Sequence, residues 1–157
     1  MGMTFPPNFA EWHNLEMYGD HPQEYLDRIT RDFEAIEPWL PAKVSSVLDI
    51  GCGLAGVNVL IAKATGCKKI NLIDGDGTGP RKMGFVENTP PWFDVNIGAE
   101  FVRKNTSGVA VKAFHQSEKS IPCDLLISLK SWAHHYSAET YMALAVASLR
   151  KKGELYT

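Results

Sequence analysis

VLDIGCGLAG, residues 47–56, joins a short apolar run to a turn that contains three glycines. Its glycines, Gly51, Gly53 and Gly56, have the G-x-G-x-x-G spacing of a nucleotide-binding turn between a strand and a helix. An acid, Asp49, lies two residues before the first glycine. A carboxylate at this point repels the pyrophosphate of a dinucleotide such as NAD and attracts an ammonium group. The glycine spacing alone therefore does not identify the cofactor.

Strand-like and helix-like segments alternate on both sides of this turn. Apolar and β-branched runs predict strands at 44–50, 68–74, 108–114 and 123–129, and a fifth that begins at 154. Apolar residues at spacings of three and four predict helices between them, at 20–40, 57–65, 94–105 and 137–152. The alternation predicts an α/β fold of three layers, in which helices cover both faces of a mainly parallel sheet of about five strands.

Local patterns also predict where the helices end and which faces they bury. Asp20 is expected to cap the first helix and Pro41 to end it, and Gly153 is expected to end the last one. The residues expected to face inward are Val57, Leu60, Ile61 and Ala64 in the helix after the glycine turn, and Met142, Ala145, Val146 and Leu149 in the last helix.

The bulk composition limits the kinds of partner. The chain has 157 residues, 45% of them hydrophobic, which is typical of one globular domain with a core. Its net charge of −2 argues against a nucleic-acid partner, and no apolar run approaches the roughly 20 residues of a membrane helix. The three cysteines, Cys52, Cys67 and Cys123, are widely spaced, so no disulfide framework or zinc site is predicted, and a cytoplasmic location is expected.

Four segments, in chain order, resemble the motifs of the class I methyltransferases that use S-adenosylmethionine (SAM). VLDIGCGLAG resembles the first motif, an acid before G-x-G, and INLID at 70–74 resembles the second. CDLLISLKSWAHHY at 123–136 resembles the fourth-strand motif, and ASLRKKGELYT at 147–157 resembles the turn into strand five. The resemblance covers residues 20–157 and implies a Rossmann-like SAM-binding domain, with residues 1–19 as an aromatic N-terminal arm or lid.

The resemblance implies a role for each acid and glycine around the turn. Asp49 would pair with the ammonium group of SAM, and Asp74, at the end of the second strand, would accept both ribose hydroxyls. The loop residues Gly51, Cys52 and Gly53 would line the methionine part of the cofactor. These assignments make SAM the expected cofactor.

Further contacts are implied along the same edge of the sheet. Gln116 and Ser117, after strand three, lie where the family contacts adenine, although Asp or Asn is common at that position. Ser128, at the end of strand four, is expected to contact the cofactor as well. Asp76 is a rival to Asp74 as the ribose ligand, but it is interpreted as a turn residue.

The segment after strand four is where the family places the methyl acceptor. His135 is predicted as the general base, with His134 as the second candidate, because histidine titrates near neutral pH. The alternative for either one is a structural histidine bonded to the backbone. No third ligand accompanies them, so no metal site is predicted. Lys130 is interpreted as solvated rather than as orienting an acidic substrate, and Trp132 and Tyr136 as either substrate contacts or core residues.

Two other enzyme classes compete with a methyltransferase that acts on a small molecule. TPPW at 89–92 resembles the motif of DNA-base amine methyltransferases, but it begins with Thr and precedes strand three, so it is interpreted as a rigid loop. An NAD-dependent oxidoreductase is disfavoured by Asp49 and by the lack of a recognisable proton-transfer set, either of Ser, Tyr and Lys or with His. Without a pyrophosphate to bind, Gly56 is interpreted as a helix-packing residue.

The predicted function is therefore transfer of a methyl group from SAM to a hydroxyl or amine of a small molecule, such as a sugar or another metabolite. The family sheet usually has seven strands, whereas the printed sequence stops inside the fifth. An exposed sheet edge is expected, and three explanations stay open: the sequence is a shortened form of a longer protein, the protein is naturally short, or a second copy or another partner covers the edge. The alternative function is a SAM-binding module that is non-catalytic or is completed by a partner.

Overall fold

The strands form one parallel sheet. A computed structural model describes residues 2–5, 22–75 and 94–157. Its elements, in chain order, are α1 (Pro22–Ile36), a 3-10 helix (Glu37–Trp39), β1 (Ser46–Ile50), α2 (Gly56–Thr65), β2 (Lys69–Ile73), α3 (Val95–Asn105), β3 (Ala110–Phe114), β4 (Cys123–Ile127), α4 (Ala138–Ser148) and β5 (Leu149–Tyr156). Within the described residues the strand order is β3-β2-β1-β4-β5. Asp20, Asp76 and the TPPW segment lie outside them.

Apolar side chains cover both faces of the sheet. On one face, a buried cluster includes Tyr25 of α1, Val59 of α2 and Phe101 of α3. On the other face, Leu48 of β1 and Leu144 of α4 belong to a second buried cluster. The predicted three-layer α/β fold is confirmed. No helix within the described ranges is long and apolar enough to cross a bilayer.

The carboxyl ends of the three central strands meet at one edge of the sheet. β1 lies between β2 and β4 and is parallel to both, with Ile50 paired with Ile73 and Asp49 paired with Ile127. The chain runs outward from β1 through β2 to β3 and then returns to place β4 on the other side of β1. Ligands of open α/β sheets bind at such a reversal of strand order, so this edge is the expected site.

Helix α1 ends one turn earlier than expected. Its α-helical part stops at Ile36, and a 3-10 helix from Glu37 to Trp39 follows, so the prediction that Pro41 ends the helix is wrong. Pro38 causes the change, because a proline inside an α-helix lacks the N–H donor and clashes with the preceding turn. Gly66, by contrast, ends α2 in the left-handed conformation with a φ of +71°, as predicted.

The buried faces of α2 and α4 differ from those predicted. In α2 the buried residues include Asn58 and Val59, whereas Ala64 is exposed. In α4 the buried residues are Tyr141, Leu144, Ala145 and Ser148. Met142 and Val146 are 50% and 73% exposed, so the predicted inner face of α4 is wrong in those two residues. Both helices are apolar on most sides, and periodicity therefore does not distinguish the face that meets the sheet.

Strand β5 begins earlier than expected. It starts at Leu149, directly after α4, so Gly153 does not end the helix. The pairing with β4 is irregular, because Cys123 pairs with Leu149 and Leu125 with Glu154. Gly153 lies in this irregular segment, where an added Cβ would be 3.0 Å from the Arg150 carbonyl oxygen. A bulge, and not a helix terminus, explains this glycine.

Candidate functional site

The glycine loop that joins β1 to α2 is held tightly against its neighbours. Gly51 and Gly53 have φ angles of +70° and +51°, which disfavour residues with a side chain. The amides of Gly51 and Cys52 both donate to the Ile73 carbonyl at the end of β2, at 2.8 and 3.2 Å. A Cβ on Gly51 would lie 2.0 Å from the Cβ of Ser131, in the segment after β4. The sheet edge therefore brings together the segments that follow β1, β2 and β4.

Asp49 lies beneath this loop as a buried acid. It is 6% exposed, and its Oδ2 accepts a hydrogen bond of 2.6 Å from Nδ2 of Asn58 in α2. Burial raises the pKa of Asp49 to about 7, with a further increase from the negative charge of Asp74, while the hydrogen bond from Asn58 opposes the shift. The other amide atom, Asn58 Oδ1, is buried and has no hydrogen-bond partner among the residues that the structure describes.

Asp74 is the second buried acid of the site and is 9% exposed. Its two carboxylate oxygens accept hydrogen bonds from the amides of Gly53, at 2.7 Å, and Gly75, at 2.8 Å. Burial raises its pKa to about 6, against the lowering effects of the hydrogen bonds from the two amides and of the nearby His135 ring. Asp74 thus joins the glycine loop to the segment after β2.

The two acids make the site electrostatically unusual. Within the described residues, no lysine or arginine forms an ion pair with Asp49 or Asp74. A buried charge is normally paired, because the loss of hydration destabilises it by several kcal/mol. Burial raises the pKa of the Cys52 thiol, and the negative charges of the two acids raise it further. Cys52 is therefore a neutral thiol, and the arrangement favours a ligand that brings positive charge.

The segment after β4 forms a tight turn that packs on the glycine loop. Ser128 Oγ donates to the Ile50 carbonyl at 2.7 Å and accepts from the Trp132 amide at 3.0 Å, so it ties the ends of β1 and β4 together. The Ser131 carbonyl then accepts hydrogen bonds from the amides of His134, His135 and Tyr136, at 3.1, 2.7 and 3.2 Å. Ser128 therefore has internal partners, and its predicted contact with the cofactor stays a prediction.

The two histidines of this turn have different surroundings. Their rings are 4.7 Å apart between centroids, with 67° between the planes. His134 is exposed, whereas His135 is half-buried and close enough to Asp74 to lower the pKa of that acid. The geometry therefore places His135 nearer than His134 to the acids of the site.

Three other residues of this segment have structural partners. Lys130 forms an ion pair with Asp32 of α1, so the interpretation of Lys130 as a solvated charge is incomplete. Trp132 is 5% exposed, donates from Nε1 to the Ala138 carbonyl at 2.7 Å and packs edge-on against Tyr141. Tyr136 also contacts the Tyr141 ring, with centroids 5.6 Å apart. Of the two alternatives left open for Trp132, the structure supports the core residue.

The turn after β3 carries the residues predicted to contact adenine. His115 Nδ1 accepts from the Ser117 amide at 3.1 Å and lies 2.8 Å from Ser117 Oγ. Gln116 is half-buried and Ser117 is exposed. Both stay predicted cofactor contacts.

Sequence reasoning missed three residues that shape the site: Asn58, Ser131 and Tyr25. Asn58 carried a signal, because it is a polar residue in the apolar first half of α2 and is fully buried. A buried amide requires a partner, and Asp49 is that partner. Ser131 and Tyr25 carried no local signal, because their contacts with Gly51 and Gly56 join residues distant in sequence.

Comparisons with known proteins support the fold. No protein-family model and no curated protein matches the sequence. Among solved structures, the PH0226 protein of Pyrococcus horikoshii OT3 is 19% identical over 94% of this chain and 66% of its own, with a TM-score of 0.60. The Trypanosoma brucei PRMT1 enzyme–prozyme heterotetrameric complex with AdoHcy is 19% identical over 92% of this chain and 42% of its own, with a TM-score of 0.56.

A third similar structure is a SAM-dependent methyltransferase from Thiobacillus denitrificans in complex with S-adenosyl-L-homocysteine. It is 13% identical over 97% of this chain and 55% of its own, with a TM-score of 0.50. The chain thus spans between 42% and 66% of the length of these three structures. Together with the strand order, the similarity shows that the chain has the Rossmann-like fold of the class I SAM-dependent methyltransferases.

Proposed function

We propose that this chain is the SAM-binding domain of an enzyme that transfers a methyl group to a hydroxyl or amine of a small molecule. The observation that carries the proposal is the pair of buried acids, Asp49 and Asp74, beside a glycine loop at the carboxyl edge of the sheet. SAM has a sulfonium and an ammonium group and no phosphate. NAD has a pyrophosphate, which would add negative charge to a site where two acids already repel each other.

The residues of the site fit the different parts of SAM. Asp49 is assigned to the ammonium group, because it is buried and its hydrogen-bond donor within the described ranges is the uncharged Asn58 amide. Asp74 is assigned to the ribose hydroxyls, because its carboxylate oxygens can accept hydrogen bonds from them in addition to those from the two amides. The backbone at Gly51, Cys52 and Gly53 is assigned to the methionine part, where the absence of side chains on the two glycines permits close approach.

Two turns complete the proposed cofactor site. Gln116 and Ser117 are assigned to adenine from their place after β3, where the turn is fixed by the His115 ring. Ser128 is assigned to the site from its place at the end of β4. The N-terminal residues 1–19 are proposed as an arm over the site, and Phe5 is the part of that arm that packs on the described core.

When bound, SAM supplies a methyl group that its sulfonium centre activates for transfer. The chain aligns the acceptor with that centre and removes its proton where the acceptor is a hydroxyl. His135 is the proposed base, because it is half-buried beside the cofactor acids and because histidine side chains can exchange protons near neutral pH. The negative net charge of the chain favours a small molecule over a nucleic acid as the acceptor.

Replacing His135 by alanine is expected to reduce methyl transfer about 100-fold or more and to change the affinity for S-adenosylhomocysteine less than about threefold, since a general base acts on the acceptor. The assay is transfer of a labelled methyl group from SAM to a panel of hydroxyl and amine metabolites, repeated on the acceptor that the wild-type chain methylates. His134→Ala is the matched control and should retain most of the activity. Equal rates for wild type and His135→Ala would remove this base from the account.

A second candidate is a SAM-binding module that needs a partner for activity. Its support is the exposed apolar surface of α4, where Met142 is 50% and Val146 73% exposed, next to β5 at the edge of the sheet. A second copy or another protein would cover that surface. Binding of S-adenosylhomocysteine without methyl transfer to any acceptor would favour the module.

All three cysteines are free thiols, which supports a reducing, cytoplasmic location for either candidate.

A further inference from the structure

Tyr25 of α1 makes a buried hydrogen bond to the start of α2. The amide of Gly56, the first residue of α2, donates to the Tyr25 hydroxyl oxygen at 3.0 Å. Tyr25 is only 7% exposed, so this bond is shielded from water. Gly56 directly follows the glycine loop, and the bond therefore fixes the point at which the loop enters the helix.

The start of α2 lacks the usual side-chain cap. Its N-cap residue is Ala55, which has no side-chain acceptor and has a φ of +59°. Helix N-termini leave several amides without internal partners, and a Ser, Thr, Asp or Asn side chain normally accepts from one of them. At this helix the phenol oxygen of Tyr25 accepts from the first of these amides. A residue 31 positions earlier in the sequence thus acts as part of the cap.

Gly56 is required for this approach. A Cβ at Gly56 would lie 2.5 Å from the Tyr25 oxygen and 2.8 Å from Ile29 Cδ1. Both distances are shorter than van der Waals contact. The interpretation of Gly56 as a helix-packing residue is therefore confirmed, and the residue that it packs against is identified.

The ring of Tyr25 joins this bond to the N-terminal segment. It packs edge-on against Phe5, at 6.1 Å between centroids, and against Phe101 of α3, at 6.3 Å. The segment is also held by Thr4, whose amide donates to Asn105 Oδ1 at 2.7 Å and whose carbonyl accepts from Asn105 Nδ2 at 2.9 Å. Tyr25 is thus the link between residues 2–5 and the glycine loop.

We propose that Tyr25 is a positioning residue for the cofactor: its hydroxyl holds the glycine loop in the conformation that binds SAM, and its ring connects that loop to residues 2–5. The inference rests on the proposed function, because it assigns the loop to SAM. Even without a ligand, the Tyr25 hydroxyl should keep the Gly56 amide hydrogen-bonded and protected from exchange with water.

The test compares Tyr25→Phe with Tyr141→Phe. Both replacements delete one buried phenol oxygen, but Tyr141 is on α4 and belongs to the buried cluster on the other face of the sheet. Tyr25→Phe keeps the aromatic packing and is expected to weaken binding of S-adenosylhomocysteine in calorimetry about threefold to tenfold, as expected for one hydrogen bond. Hydrogen exchange of the Gly56 amide, followed by NMR without ligand, should accelerate by a similar factor. Tyr141→Phe should change neither quantity.

The outcomes separate a positioning role from a merely structural one. A lower melting temperature for both variants, with unchanged affinity and unchanged Gly56 exchange, would overturn the proposal. If Tyr25→Phe does not fold, Gly56→Ala keeps the amide but displaces the Tyr25 hydroxyl through the clash with the added Cβ, and it should also weaken binding. If the wild-type chain does not bind S-adenosylhomocysteine, the proposed function fails, and the exchange rate then decides the role of the hydroxyl alone: faster exchange in Tyr25→Phe supports it and unchanged exchange refutes it.

Discussion

Replacing Gly51 by alanine is expected to lower the free energy of unfolding by about 3 kcal/mol and to abolish measurable cofactor binding. Gly51 has a φ of +70°, and an added Cβ would lie 2.0 Å from the Ser131 Cβ and 3.5 Å from its Cα. The left-handed backbone destabilises alanine by about 1 kcal/mol, and overpacking adds about 1–3 kcal/mol. Because the clash involves the Ser131 Cβ, which is bonded directly to the backbone and does not move with the side-chain rotamer, relief requires the segment after β4 to move. Urea denaturation measures the loss.

Gly66→Ala is the matched control for this prediction. Gly66 has nearly the same φ, +71°, but no atom of the described residues lies within 4 Å of the position of its Cβ. It therefore tests the backbone penalty without the clash, and its loss of stability should be about 1 kcal/mol or less. Equal losses for the two variants would contradict the account, because they would show that the contact with Ser131 does not constrain the loop.

Replacing Asp49 by asparagine is expected to stabilise the folded chain at alkaline pH. The gain in free energy of unfolding should grow by about 4 kcal/mol between pH 4 and pH 8, because a shift of one pKa unit corresponds to about 1.4 kcal/mol. The carboxyl group has an ordinary pKa of 3.8 and a pKa of about 7 in the folded chain. Asparagine keeps an oxygen that can accept from Asn58 but has no charge to bury.

The direction of this effect follows from proton binding. Between pH 4 and pH 7 the folded chain holds the Asp49 proton, whereas the unfolded chain has released it, so raising the pH favours unfolding. Wild-type stability should therefore fall across this window and level off above pH 7. Asp74, with a pKa of about 6, acts in the same direction, but it is present in both proteins.

Glu100→Gln is the control for charge removal by itself. Glu100 is an exposed acid whose pKa is lowered by a hydrogen bond from Lys104, so its replacement should not stabilise the chain at alkaline pH. Chemical denaturation at a series of pH values measures the free energy of unfolding of the wild type, Asp49→Asn and Glu100→Gln. Parallel pH profiles for wild type and Asp49→Asn would refute the buried, unpaired state of this acid.

The same Asp49→Asn variant is expected to bind SAM at least about tenfold more weakly, because the ammonium group loses a charged partner. A variant that is more stable and binds less is the signature of a residue kept for its function. At acidic pH the wild-type chain should also lose affinity for SAM, since protonation of Asp49 below pH 7 removes the same charge.

Local sequence patterns were sufficient for the order and type of the elements. The glycine turn, the apolar strands and the Gly66 helix stop all depend on neighbouring residues, and each of them was predicted correctly. The wrong predictions concern features that depend on tertiary contacts, namely which helix face is buried and where a strand begins. The apolar sequence of α4 does not reveal which side meets the sheet, and the early start of β5 depends on a bulge opposite Cys123.

Some residues of the candidate site could likewise be predicted from local sequence, whereas others depend on tertiary contacts. Asp49 and Asp74 could be found from the sequence, because the ends of parallel strands meet at one edge of a sheet. Tyr25 could not, because the distance from its hydroxyl to the Gly56 amide depends on how α1 crosses α2. Asn58 lies between these cases: its polarity in an apolar helix indicates a buried partner, but not which one.

The most direct test of the central claim is calorimetric titration of the wild-type chain at pH 8 with SAM, S-adenosylhomocysteine and NAD. At this pH both acids are ionised, since their pKa values are about 7 and about 6. We expect binding of SAM and S-adenosylhomocysteine and no binding of NAD. Binding of NAD without binding of SAM would contradict the claim, because two buried carboxylates at the glycine loop would then accommodate a pyrophosphate.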